Sequence, residues 1–262
     1  MMGVNRRGFL KAAGLTALGL AGGKAGFELM TGEEALASAK KRDTSGQRWA
    51  MLIDLRKFTA ATARTVQQAC HATHNVPTFD TDTDEGKRWQ IKWIWTEEYD
   101  HTFPDQEHHY IADPVKESGV PVLCNHCDNP PCTRVCPTQA TFRRDDGIII
   151  MDWHRCIGCR YCIAACPYGS RSFNWVDPRP YIDNIDPKFP TRMIGVVEKC
   201  TFCDERLAKG LKPACVEACK NGEMYFGDIN KATDEIRAVL KQRFSIRRKP
   251  GLGTQPEIYY LV

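Results

Sequence analysis

The chain has 262 residues, a formal net charge of +4 and thirteen cysteines. Cysteine usage is far above the ordinary, yet the chain is too long for a small disulfide scaffold, and scattered basic residues with so small a net charge make a poor case for nucleic acid. Fifteen prolines, twenty glycines and low hydropathy predict a loop-rich fold organised by something other than a large apolar core.

The first element is a leader. NRRGFLK at residues 5–11 precedes the softened apolar run AAGLTALGLAGG, and Ala37-Ser38-Ala39 reads as a small-residue cleavage site. Twin arginine, apolar run and cleavage site in that order predict a twin-arginine export signal over residues 1–39. The apolar run is too short to span a bilayer, and no later stretch is long and apolar enough. The expectation is an exported protein without a span of its own.

A strand and a helix come next. Residues 51–71, MLIDLRKFTAATARTVQQACH, share a frame with residues 149–167, IIMDWHRCIGCRYCIAACP. In both, an apolar run ends in Asp, a basic residue follows, and a helix-like segment ends in Ala-Cys. Asp54 answers to Asp152, Lys57 to Arg155 and Cys70 to Cys166. The second copy carries Cys156, Cys159 and Cys162; the first carries Phe58, Ala61 and Arg64 at those offsets, or Ala60, Ala63 and Val66 if aligned from Cys70. The apolar runs predict short strands, and RTVQQACHA and CIAACP short helices. WQIKWIWTEEY, residues 89–99, has apolar positions at period two for part of its length and predicts a sheet edge packed in the fold. His71, His74, His101, His108 and His109 are read as surface or capping groups rather than metal ligands.

Twelve cysteines then fall into three groups: Cys124, Cys127, Cys132, Cys136; Cys156, Cys159, Cys162, Cys166; and Cys200, Cys203, Cys215, Cys219. The second matches the ferredoxin run C-x2-C-x2-C-x3-C-P, in which three cysteines on a tight turn hold one [4Fe–4S] cluster and the fourth ligates its neighbour. Exchange of that kind predicts one cluster on Cys124, Cys127, Cys132 and Cys166, and another on Cys156, Cys159, Cys162 and Cys136. Disulfides fit an odd count poorly. Isolated zinc sites would not use this spacing, and no C-x-x-C pair is followed by the His of an attached haem. The predicted fold class is α+β, a loop-rich set of ferredoxin-like strand–loop–helix repeats organised around clusters.

CNHCDNPPCTRVCP, CIGCRYCIAACPYGSR and CTFCDERLAKGLKPACVEAC, with the closing GTQPEIYYL, resemble the four-motif ferredoxin subunits of membrane-bound respiratory oxidoreductases. The similarity covers residues 48–262. Leader and degenerate first motif together look most like the branch linked to dissimilatory sulfur metabolism. The resemblance implies pseudo-symmetric halves, an inner one over 120–170 and an outer one over 50–76 plus 196–227. It implies a third cluster on Cys200, Cys203 and Cys215 completed by Cys70, with Cys219 as the alternative. The lost fourth cluster would be the terminal one, its pocket filled by Phe58 and small neighbours. It also implies a non-catalytic electron relay. The expected partners are an integral membrane NrfD-like subunit and a periplasmic multihaem cytochrome c. The protein would sit on the membrane only through its partners.

Overall fold

The computed structural model describes residues 46–106, 113–117 and 119–262. The leader, His108 and His109 lie outside them. In chain order the elements that position the cysteines are β1 (Trp49–Asp54), α1 (Ala60–His74), β2 (Ile94–Glu97), β3 (Val120–Leu123), α2 (Pro131–Arg134), β4 (Thr141–Arg143), β5 (Ile149–Met151) and α3 (Tyr161–Ala164). There follow β6 (Ser172–Phe173), β7 (Val197–Glu198), α4 (Asp204–Leu207), α5 (Ala214–Ala218), β8 (Met224–Asp228), α6 (Glu235–Gln242), β9 (Ser245–Ile246) and β10 (Ile258–Leu261).

Five of the six residues of β1 are buried, as a strand covered on both faces requires. It is the second strand of a sheet in the order β8-β1-β10-β9, antiparallel to β8 and parallel to β10. Met51 and Ile53 enter the main core with Phe58, Val66, Trp93 and Tyr260. Ala50 and Leu52 enter a smaller core with Ile236 of α6 and Leu261 of β10. A large apolar side chain contributes about 1.5–3 kcal/mol by leaving water. The remaining sheets are two-stranded: β2 with β3, β4 with β5, β6 with β7. The fold is α+β and loop-rich. The aromatic run supplies β2, but Trp93, Ile94 and Trp95 are all buried, so its alternation does not mark one wet face.

The helix α1 is longer than its sequence suggested. It begins at Ala60, where Thr59 accepts a hydrogen bond from the Thr62 N–H (3.2 Å), and ends at Asn75 in a left-handed cap. Its buried residues Ala63, Val66, Cys70 and His74 recur every three or four positions and so lie on one face. The helices of the three intact motifs, α2, α3 and α5, have only four or five residues.

Candidate metal centres

Each intact motif bends through the left-handed region, which folds a short loop around its cysteines. His126 (φ 42°) lies between Cys124 and Cys127; Gly158 (69°) and Arg160 (62°) flank Cys159; Phe202 (59°) and Cys203 (55°) close the fourth motif. Gly158 is doubly required, because a Cβ there would lie 2.4 Å from the Gly195 carbonyl oxygen. Backbone N–H groups turn toward sulfur: those of Phe202 and Ala214 donate to Cys200 Sγ and Cys203 Sγ, each at 3.4 Å.

These turns gather the thiols. Burial, then the neighbouring Cys124, Cys132 and Cys166 thiolates, push the Cys127 thiol well up. Cys136, Cys156, Cys159 and Cys162 line one small pocket with Ala140, Met151 and Val197. Cys70 is raised first by burial and then by Cys200, Cys203 and Cys215. The groups also touch one another. Cys162 feels Cys132, and Cys200, pushed up to about 12 chiefly by burial, feels Cys124. The Cys124 group therefore stands between the other two. Buried thiols crowded in this way fit a positive multi-iron centre, which stabilises thiolates that water does not reach. The donor set suits iron–sulfur clusters.

Buried cations lie among them, and the cysteine spacing announces none of these. Arg171 donates from Nη2 to Cys132 Sγ (3.0 Å) and Thr141 Oγ1 (2.8 Å). Lys199, fully buried, donates from Nζ to the carbonyls of Ile149 and Cys200. Arg248 stands over the Tyr168 ring, 5.3 Å from its centroid. Position next to Cys200 is a faint sequence signal for Lys199; for Arg171, five residues beyond Cys166, there is none.

Two histidines depart from expectation. His74 is a buried side chain, not a surface one. Its Nδ1 lies 2.8 Å from the Cys70 carbonyl oxygen, an inward capping contact in the last turn of α1, and Nε2 lies 3.1 Å from Glu205 Oε1 of α4. One ligand atom each of His74, Cys203 and Glu205 lie within 4.8 Å of one another. His71 is half-buried, and burial lowers it to about 4. His101 is exposed, as expected.

The degenerate first motif is closed by side chains, with Phe58, Ala63 and Val66 buried in one core cluster. Phe58 is 2 % exposed. On either side of it, Lys57 Nζ donates to the Asn221 carbonyl (3.2 Å) and Thr62 Oγ1 to Glu223 Oε1 (3.5 Å). Buried Glu223 also accepts from the Asn221 N–H (2.9 Å). Ala60, Ala63 and Val66 also line a cavity of about 170 Å³ against Ile94, Trp95 and Pro121. Half-buried Cys219 is pushed up to about 12 by burial and then by the Glu223 carboxylate.

One edge of the assembly is open. Cys159 is the exposed member of its group, flanked by Ile157 (66 % exposed) and Tyr161 (62 %). Ile194 (59 %) is nearby because its neighbour Gly195 abuts Gly158. Arg160 packs over Trp175, itself partly exposed, at 4.7 Å. Among the described residues no helix is long and apolar enough to cross a membrane.

A family model described as a 4Fe-4S dicluster domain matches residues 115–179 and 186–229. The chain is 38% identical to the Hdr-like menaquinol oxidoreductase iron-sulfur subunit 1 of Archaeoglobus fulgidus, over 82% of this chain and 83% of that one. It is 35% identical to the iron-sulfur cluster-binding subunit of the menaquinone reductase of Nitratidesulfovibrio vulgaris, over 82% and 88%. To a polysulfide reductase polypeptide of Wolinella succinogenes it is 40% identical, over 52% and 63%.

Proposed function

The chain belongs to the iron–sulfur electron-transfer subunits of menaquinol-, polysulfide- and dimethyl sulfoxide-reductase-type complexes, and from that premise we propose that it carries three [4Fe–4S] clusters in one line. One end cluster is held by Cys136, Cys156, Cys159 and Cys162. The middle one is held by Cys124, Cys127, Cys132 and Cys166, and the last by Cys70, Cys200, Cys203 and Cys215. When bound, such clusters take up and release single electrons with little rearrangement, because thiolate ligands stay in place. The protein's part is to fix their spacing, exclude water and set the charge around them. In this reading it is a relay rather than a catalyst. The observation that carries it is the grouping of the thiols: Cys136, Cys156, Cys159 and Cys162 line one pocket, Cys127 feels Cys124, Cys132 and Cys166, and Cys70 feels Cys200, Cys203 and Cys215, while Cys132 and Cys124 link the middle group to the other two.

The exposed apolar edge at Cys159 supports docking on an apolar partner, which we assign to an NrfD-like membrane subunit. The far end would meet a periplasmic multihaem cytochrome c. Export by the twin-arginine leader would place the protein in the periplasm, as for DsrO, the iron–sulfur subunit of the Dsr sulfur-metabolism complex. The helical first motif leaves no ligands for a terminal fourth cluster, which suits a complex with no molybdenum subunit at that end. The test is iron and sulfide analysis of anoxically purified protein. About twelve irons per chain and a brown colour are expected. Stoichiometric zinc without visible absorbance would refute the relay.

A further inference from the structure

We propose that Arg171 and Arg248 hold the middle cysteine set at a higher reduction potential than the sets on either side, so that an electron crossing the protein rests at the middle. The inference rests on the relay reading above. It begins from two guanidinium groups in unusual surroundings. Arg171 is 5 % exposed and Arg248 4 %. Among the described residues neither has a carboxylate within ion-pair distance. Arg248 keeps Nε and Nη1 buried without any hydrogen-bond partner. An unpaired buried guanidinium is strongly unfavourable, and arginine does not escape by losing its proton. Something negative must compensate.

Arg171 touches the middle set of thiols directly, and Arg248 approaches it through Tyr168. Arg171 Nη2 lies 3.0 Å from Cys132 Sγ. Arg248 covers the ring of Tyr168, two residues beyond Cys166, and its chain neighbour Lys249 donates from Nζ to the Pro167 carbonyl next to that cysteine (3.0 Å). Lys199, between Ile149 and Cys200, adds a buried amine on the side facing the Cys200 set. The flanking sets are differently placed. The Cys200 set has the Glu205 carboxylate beside it. The Cys159 set shares Arg171 through Cys162 but opens to solvent at Cys159. Each added electron makes a cluster more negative, and a fixed positive charge in a dry site favours that form more than partial access to water does. Two guanidiniums that keep their charge, with the Lys199 amine beside them, therefore outweigh the single basic group shared with each neighbour. Arg171 and Arg248 act here as positioning charges and carry no electron themselves.

The test is stepwise reduction of the anoxic holoprotein followed by electron paramagnetic resonance, after iron analysis. Absence of clusters would refute the relay reading itself, whereas loaded clusters with unmoved potentials would refute only this inference. In the unsubstituted protein the first centre reduced should be the one that Arg248→Gln shifts downward, by at least tenfold in its equilibrium constant (about 59 mV for one electron). Arg171→Gln should lower the same centre and, less strongly, one neighbour. Arg171→Lys, which keeps the charge, should restore most of that loss. A first-reduced centre that ignores Arg248→Gln overturns the proposal, as does Arg171→Lys shifting it as far as Arg171→Gln. Should Arg171→Gln fail to load its clusters, Arg248→Gln decides by the same criterion.

Discussion

The first and third motifs start alike and end as different structures. In each, a strand delivers an aspartate that folds back on its own backbone: Asp54 Oδ1 accepts from the Arg56 N–H at 3.2 Å, Asp152 Oδ1 from the His154 N–H at 2.9 Å. Beyond that point the third motif turns through left-handed Gly158 and Arg160 into a four-residue helix. The first has no left-handed residue among the described positions before Asn75, and it forms fifteen residues of helix. A left-handed non-glycine residue costs about 1–2 kcal/mol. A loop has reason to hold it when metal–thiolate bonds offset the cost. Where the cysteines are missing, the same frame relaxes into helix, Phe58 is drawn into the core, and Glu223 gathers the polar groups alongside.

Iron removal should separate the two regions most. Chelation under reducing conditions is expected to abolish amide-exchange protection around Cys124–Cys136 and Cys156–Cys166 while α1 stays protected, since metal binding and folding are coupled only where the turn needs the metal. Equal loss in α1 would mean that its fold, and not only its Cys70 ligand, depends on a cluster. Next in size, Cys70→Ser should cost one cluster of three, whereas Cys219→Ser should leave the iron content unchanged. The opposite pattern would show the fourth motif closing on itself. Phe58→Ala should destabilise by about 3–5 kcal/mol in denaturant unfolding of the loaded protein, because it empties a buried site. Ile157→Ala, on the exposed edge of the third motif, should change stability by less than about 0.5 kcal/mol.

Thr59→Ala tests the helix start directly, with an expected loss of about 1 kcal/mol. The smallest effect is acid dependence. Burial pushes the Asp54 carboxyl up, but its ion pair with Arg243 more than offsets this and holds it below the ordinary value of 3.8. A lowered folded-state value stabilises above the unfolded pKa, and the contribution is lost as pH falls below about 4. Asp54→Asn should therefore flatten the acid limb of a stability–pH curve and change its shape little above that.

Much of this protein was legible in its sequence. The iron–sulfur spacing, the frame shared by residues 51–71 and 149–167 and the apolar strands within it are local patterns, set by residues a few positions apart, while the closing strand IYYL was implied by the family resemblance. The full length of α1 was not legible, because its first turn is helical only when no metal bends it. Nor were the surroundings of the sulfurs. Arg171 meets Cys132 across 39 residues of chain, and His74 meets Glu205 across 131. That Cys70 stands in the field of Cys200, Cys203 and Cys215, and Cys219 beside both Cys215 and Glu223, is likewise a product of packing. Cysteine spacing is written in covalent geometry over a few bonds. The charges that surround a buried sulfur are brought there by folding, and only the tertiary structure places them.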